Sequence, residues 1–587
     1  MSNFLNLFNQ LHDCKFNFSD TTNECTDKVN YRHFYLFNLI PAMVITLLFG
    51  LTKKRRSVLP AILNGRPGVV YAMNSLTRHS KMSYACAFGA AAHVVHVIVI
   101  NGDSIIEYNG HRAGKAFINI IATFLYGMTF LPVFVSLTMG SIFGYGVGSL
   151  YVWMLTAIEI FRLAQCETNF EGRVLLVFRN LPPLLCLLYL SISLPLRFVR
   201  FVRNHRPWFE WTNEPSEVLE NLDEIRKSYD GSYVGGILSK PVSKTVRVPE
   251  GRKEMIKANF IRLIKKYIYK RKRGYQYPSR LLSVLLVTSV VIYTIAYQVM
   301  ALLVQLLRKT EECIPIAFYF WEDIINPFLK TIEVFRVSVI LATTTALVLF
   351  IFSACGLLTS YRTHALEMYK GNSVKIHLSV ESSPVKDCVN YIKYGGFQAA
   401  YMIWAFMIQW LVFFLVFFLV GILIKFFDVN LIKEFVNWTW PYLLTFVVIN
   451  ITIWLLSAFF FLQDRGEHLA LDNRGWFFNC VYFFTFYFLF LGLFSCVLRM
   501  LTSMVLGLVY LGRLDKTILV KNFEVLDIGF NTYVGFMKTD CAHTHPVAIV
   551  FTRLMLLAAR RPEAEPSNDN YEEIREAGGV LRHGPDD

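Results

Sequence analysis

Gly110-His-Arg-Ala-Gly114-Lys115-Ala116 is the stretch that comes nearest to a phosphate-binding loop. Such a loop needs four residues between its glycines and a Ser or Thr after the lysine, because that hydroxyl ligates magnesium. Here three residues separate the glycines and Ala116 follows Lys115, so nucleotide chemistry fails at this point. His93 and His96 stand three apart, a helical spacing that serves a metal or a membrane acyltransferase. No third ligand or partnered carboxylate accompanies them. Polar packing inside a bundle is the simpler reading, and a polytopic lipid-modifying enzyme is the rival. Glu159 and Glu333 fall near the ends of apolar runs, where a carboxylate reaches water cheaply. The eleven cysteines include no C-x-x-C pair and no His/Cys set with zinc spacing. The expectation is no catalytic residue, no metal and no cofactor.

The surrounding sequence explains why. Of 587 residues, 54% are hydrophobic, 51 are Phe and only 17% are charged. Several apolar runs reach 18 residues or more, which predicts an all-α polytopic membrane protein. The net charge of +15 would suit nucleic acid in a soluble chain. In a membrane protein it belongs to cytoplasmic loops, so it assigns sides and no nucleic acid is expected.

Spans are predicted at 34–51, 82–101, 116–138, 142–163 and 174–196, then at 281–307, 334–359, 397–426 and 440–462. Lys53, Lys54, Arg55 and Arg56 follow the first span and hold it with the N-terminus (1–33) outside. Five spans (34–196) then deliver the chain to 197–280, a basic insert with about twenty Lys and Arg, which is read as cytoplasmic. Spans six to nine occupy 281–463. Asn17 and Asn437 are glycosylation acceptors on the predicted outer face, and Cys14 with Cys25 is a candidate outer disulfide, the alternative being free thiols. Pro182 and Pro183 break the fifth span, freeing carbonyls that protein or water must satisfy.

The run 476–511 would make a helix of roughly 54 Å, against a hydrocarbon core of about 30 Å. A turn near Gly492 is expected. The second half, from Leu498 to Leu511, is then an intramembrane helix, re-entrant or in the membrane plane, with Arg499, Thr502 and Ser503 as its polar stripe. That arrangement keeps residues 512–587 cytoplasmic, ending in a disordered acidic tail. Two candidate contact segments remain. Between 254 and 273, apolar Ile256, Phe260, Leu263 and Tyr267 share a helical face beside Lys265 and Lys266. Such a helix suits calmodulin, an anionic lipid surface, or merely the anchor before span six. Tyr571, preceded by Asp569 and followed by two Glu and an Ile, has the pattern of a phosphotyrosine site, which would make the chain a signalling receptor.

Leu511-Gly-Arg-Leu-Asp515, Leu526-Asp-Ile-Gly-Phe-Asn-Thr-Tyr533 and Ala542-His-Thr-His-Pro546 carry a resemblance, joined by Arg362-Thr-His364 and Asn473-Arg474. Together they resemble the stimulated-by-retinoic-acid family of vitamin A transporters, over about Arg280 to Leu557. The resemblance implies a plasma-membrane homodimer whose protomers have nine spanning helices and one intramembrane helix. It also implies passive movement of retinol, delivered by retinol-binding protein, through an outer apolar cleft, with calmodulin as a bound partner. Where carrier-docking members have a Tyr followed by two glycines, the segment Arg308 to Glu333 has no glycine and presents Phe318, Tyr319, Phe320 and Trp321. The resemblance is to a shorter, receptor-like member.

Overall fold

The computed structural model describes residues 31–53, 68–74, 80–100, 111–164, 170–206, 208–209, 211, 222–238, 275–317, 322–371, 383–426, 429–463, 471, 473–520 and 523–560. Among them the only β-pairing is one isolated bridge, Leu462 to Leu471. All else is helix and connection. In chain order the helices are α1 (Tyr31–Thr52), α2 (Lys81–Ile100), α3 (Arg112–Met139), α4 (Ile142–Ala164), α5 (Phe170–Arg203), α6 (Leu222–Lys227) and α7 (Tyr229–Leu238). Then come α8 (Ser279–Ala317), α9 (Glu322–Met368), α10 (Pro384–Phe426), α11 (Val429–Leu456), α12 (Arg474–Tyr510), α13 (Ile528–Thr544) and α14 (Pro546–Arg560). Ten described segments are long and apolar enough to cross a bilayer. The chain is a multi-pass membrane protein.

Helices α1 to α5 form the first bundle, and α2 lies at its centre, against α3, α5 and α8. This position accounts for its modest hydropathy. Ala85, Ala87, Ala90 and Ala92 are buried, and a Cβ at Gly89 would press on Cys186 Sγ at 2.8 Å and Leu286 at 3.3 Å. Without a hydrophobic drive in lipid, helices associate by close approach, which small residues permit.

Two of the three prolines of α5 are answered from other helices. Pro182 removes the N–H that would bond the Phe178 carbonyl, and Tyr293 of α8 donates its hydroxyl to that oxygen at 3.0 Å. Pro195 likewise frees Ser191, whose carbonyl accepts from Trp153 Nε1 of α4 at 2.9 Å. Each kink is therefore an inter-helix joint. Tyr293→Phe should cost about 1 kcal/mol of thermal stability, and in a Pro182→Ala background, where the backbone donor returns, it should cost almost nothing. A cycle showing equal losses in both backgrounds would refute the joint.

The second group is built on three long helices. At 47 residues α9 is about 70 Å long, far beyond a 30 Å core, so its end projects from the apolar layer. The projecting ends of α8, α9 and α10 enclose α13 in a core of Leu281, Leu357, Tyr361, Tyr394, Tyr533 and Phe536. Burial raises the Tyr275 hydroxyl well above its usual range, with Tyr369 adding to it. Helix α14 turns away and packs on α7, where Arg553 meets Asp230 at 3.7 Å.

Two expectations change. The chain does not turn at Gly492: α12 is one 37-residue helix running straight through it. Glycine costs a helix roughly 1 kcal/mol, less than leaving backbone groups unpaired in an apolar medium. Asn437 is not in a loop either, since α11 begins at Val429 and carries the sequon, exposed, in its early turns.

Candidate functional site

Apart from Asn473-Arg474, the segments that carry the resemblance gather at one place, the C-terminal end of α12 against α9, α10 and α13. Arg513 follows α12 directly. Its Nε donates to Asp515 Oδ1 at 3.1 Å and its Nη2 to Asp515 Oδ2 at 2.7 Å, a bidentate pair whose side chains are 4% and 0% exposed. The same Nη2 reaches Ser360 Oγ of α9 at 3.0 Å. Burial disfavours the guanidinium charge, yet Asp515 more than offsets this and holds Arg513 above its ordinary value. The socket is Gly356, where any Cβ would overlap the guanidinium. Gln398 of α10 donates to the Gly512 carbonyl at 3.0 Å, completing a clasp between α12 and its neighbours.

The second motif builds the floor. Asp527 caps α13 by accepting from Phe530 N at 3.0 Å. Gly529 lets Leu514 and Tyr401 approach, since a Cβ there would stand 2.6 Å from Leu514 Cδ2. Tyr533 hydroxyl pairs with His364 Nδ1 at 2.8 Å, so two of the quoted segments meet directly. Tyr361 donates to Asp540 Oδ2 at 2.6 Å, and Tyr394 stacks on Phe536 with centroids 4.0 Å apart. At the third motif, Thr544 pairs with Tyr369 hydroxyl at 3.2 Å and Pro546 starts α14. At the other end of α12, Asn473 takes a left-handed conformation (φ 48°) and donates to the Phe460 carbonyl at 3.1 Å. These motif residues do positional work: they fix where α12 begins and ends.

What they position is a wedge. Gln398, Met402, Ala405 and Gln409 lie at i, i+4, i+7 and i+11 on one face of α10. Gly512 seats against Met402 and Ala405, and Gln409 donates to the Leu508 carbonyl at 2.8 Å. The same face of α10 continues as Val416, Val420 and Leu423, all exposed. On α12, Val505, Leu501, Val497 and Phe494, at steps of three and four back from Leu508, are exposed too. The two helices touch at the clasp and stand uncovered beyond it. In Val436–Phe461 and Leu491–Tyr510 the most apolar 18-residue stretch has no buried residue (0%), whereas 56% of the corresponding stretch of Ile120–Met139 is buried. Arg499, Thr502 and Ser503 are exposed, and Thr502 donates back to the Arg499 carbonyl at 3.0 Å. Apolar walls with a few amide groups at the apex suit a neutral, greasy guest. They offer no nucleophile, acid or base.

Ile256, Phe260, Leu263, Tyr267, Lys265 and Lys266 lie outside the described residues, as do Phe318, Tyr319, Phe320 and Trp321, Asn17, Cys14, Cys25 and Tyr571. The backbone at His93 and His96 belongs to α2, with side chains outside the described set. No group of His, Cys, Asp and Glu able to hold a metal occurs among the described residues. The glutamines of α10 were overlooked in the sequence. Their signal was legible: two amides eleven residues apart, on one face of an otherwise apolar run.

Comparison with known proteins adds a second line. The profile of the family described as retinol binding protein receptor matches residues 23–579. Stimulated by retinoic acid gene 6 protein-like of Mus musculus is 24% identical over 572 residues, 91% of this chain and 86% of its own length. The receptor for retinol uptake STRA6 of Rattus norvegicus is 21% identical over 572 residues, covering 91% and 82% of the two chains. That of Homo sapiens is 20% identical over 550 residues, covering 88% and 80%.

Proposed function

The chain belongs to the retinol binding protein receptor family, and from that premise we propose that it is a cell-surface receptor through which retinol enters cells passively. The observation that carries this reading is the wedge between α10 and α12, apolar on both walls and closed at the clasp. Retinol is a long apolar body with one hydroxyl. It gains by leaving water for such walls, and a gradient alone moves it into the bilayer alongside. No bond is made or broken, so no catalysis is invoked.

The finer parts of the reading follow. Plasma retinol-binding protein docks at the outer connection between α8 and α9, where Phe318, Tyr319, Phe320 and Trp321 supply aromatic anchors. The bare faces of α11 and α12 meet a second copy of the chain, which covers apolar surface and gives Arg499 polar company. The protein sits in the plasma membrane, glycosylated at Asn17, with its N-terminus outside and, because α12 lies in the membrane and does not cross it, its C-terminus inside. The basic 254–273 segment takes calmodulin.

Cells expressing the chain should accumulate labelled retinol several-fold above mock-transfected cells, from carrier-bound and free pools alike. Uptake at the mock level in both conditions would sink the transporter reading. Uptake of free retinol alone would remove carrier docking and leave the wedge.

A further inference from the structure

The first bundle contains a cavity unconnected with the wedge. It lies among α1 to α5, toward the end where α1 begins, and measures about 20 Å³, room for one oxygen-sized group. Its walls are apolar apart from Asn180 of α5 and Glu159 of α4, with Tyr35, Phe130 and Leu155 around them. Asn180 is 3% exposed, and its Nδ2 donates to the Leu176 carbonyl one turn back at 3.0 Å. Its Oδ1 is left toward the cavity without a hydrogen-bond partner. The reverse amide orientation would set two oxygens against each other at Leu176, so the acceptor is the atom on offer. Glu159, whose carboxylate lies 3.8 Å from Arg162, is a second acceptor at the same wall.

A buried acceptor left unpaired costs more than a hydrogen bond returns, so a native fold supplies a partner. The unpartnered Asn180 oxygen calls for a donor. Pro183 also lines the cavity. We propose that this cavity is a site for an O–H donor held by Asn180 Oδ1: the hydroxyl end of an apolar alcohol that enters from the bilayer, or an ordered water. A full lipid does not fit within it. An alcohol would lodge its hydroxyl there, with its hydrocarbon passing out along Leu163 and Leu184.

The test uses the full chain in lipid nanodiscs with a photoreactive long-chain alcohol carrying a diazirine, and with its acetate ester, which lacks the O–H donor. The alcohol should label peptides within Glu159–Leu163 and Asn180–Leu187, and the ester should not. Asn180→Leu should reduce that labelling about tenfold, the worth of one charge-free buried hydrogen bond. Asn180→Ser, whose hydroxyl can donate to the Leu176 carbonyl and still accept, should retain part of it, which separates loss of the site from misfolding. Absence of labelling together with map density for one water on Asn180 Oδ1 assigns the donor to water. Neither labelling nor density, or equal labelling by alcohol and ester, would overturn the site.

Discussion

Asp515→Ala should be among the most damaging single substitutions in this chain, costing on the order of 3–5 kcal/mol. Asp515 is buried and is the carboxylate that accepts two bonds from Arg513. Removing it strands a guanidinium away from water, with the Ser360 hydroxyl and the face of the Tyr510 ring, 5.5 Å from its Cζ, left to it. Thermal unfolding followed by gel filtration should show a Tm lower on the order of 10 °C. The pair itself is replaceable in principle. Arg513→Met with Asp515→Leu removes both charges at similar volume and should regain most of the loss. A single variant as stable as the parent would show that the pair is hydrated, contrary to its burial.

Gly356→Ala is expected to be nearly as costly, although it adds one carbon. That carbon is the atom that overlaps the Arg513 guanidinium, and it would stand 2.9 Å from Cζ, so no rotamer of a larger residue is needed to produce the clash. Overpacking of this kind costs about 1–3 kcal/mol, and displacing the guanidinium from Asp515 adds to it. The expected readout is loss of retinol uptake in proportion to loss of folded protein at the surface. Combined with Arg513→Met, whose thioether bends away, Gly356→Ala should cost much less. A coupling energy of about 0.5–3 kcal/mol would place the two residues in one unit, and strict additivity would separate them.

These two positions mark the limit of what was readable in the sequence. Each of the nine predicted spans falls on a helix, because lipid forces every backbone group to pair within its own segment, but hydropathy did not report how far α8, α9 and α10 run beyond theirs. Gly492 misled for the same reason in reverse: punctuation that ends a helix in water does not end one in lipid. Residues 512–560 read as mixed and soluble-looking, yet α13 is buried nearly all round. Its polar groups are satisfied by partners far away in sequence, such as Tyr361 for Asp540 and His364 for Tyr533, and no local pattern records those pairings. The resemblance named the right segments without saying what they do. That they clasp α12 follows from three dimensions: the Arg513–Asp515 spacing of two residues gives no hint that a glycine on α9 receives them. The wedge was illegible because apolar residues line every helix, and only exposure separates a lipid face from a covered one.

The distance along the chain between Ser360 and Arg513 has a consequence for biosynthesis. The two are 153 residues apart, so at about 5–20 residues per second a ribosome takes roughly 8–30 s to travel from the socket to its occupant. Throughout that interval the Gly356 notch is open, and α10, α11 and then α12 reach the membrane with nothing yet made to hold α12 in register. Its seat closes only after Asp515 has emerged, and its floor only after Tyr533. Ribosome pausing in the 513–533 stretch would prolong the unlatched state, and cellular quality control would meet this protein most often at that stage of its synthesis.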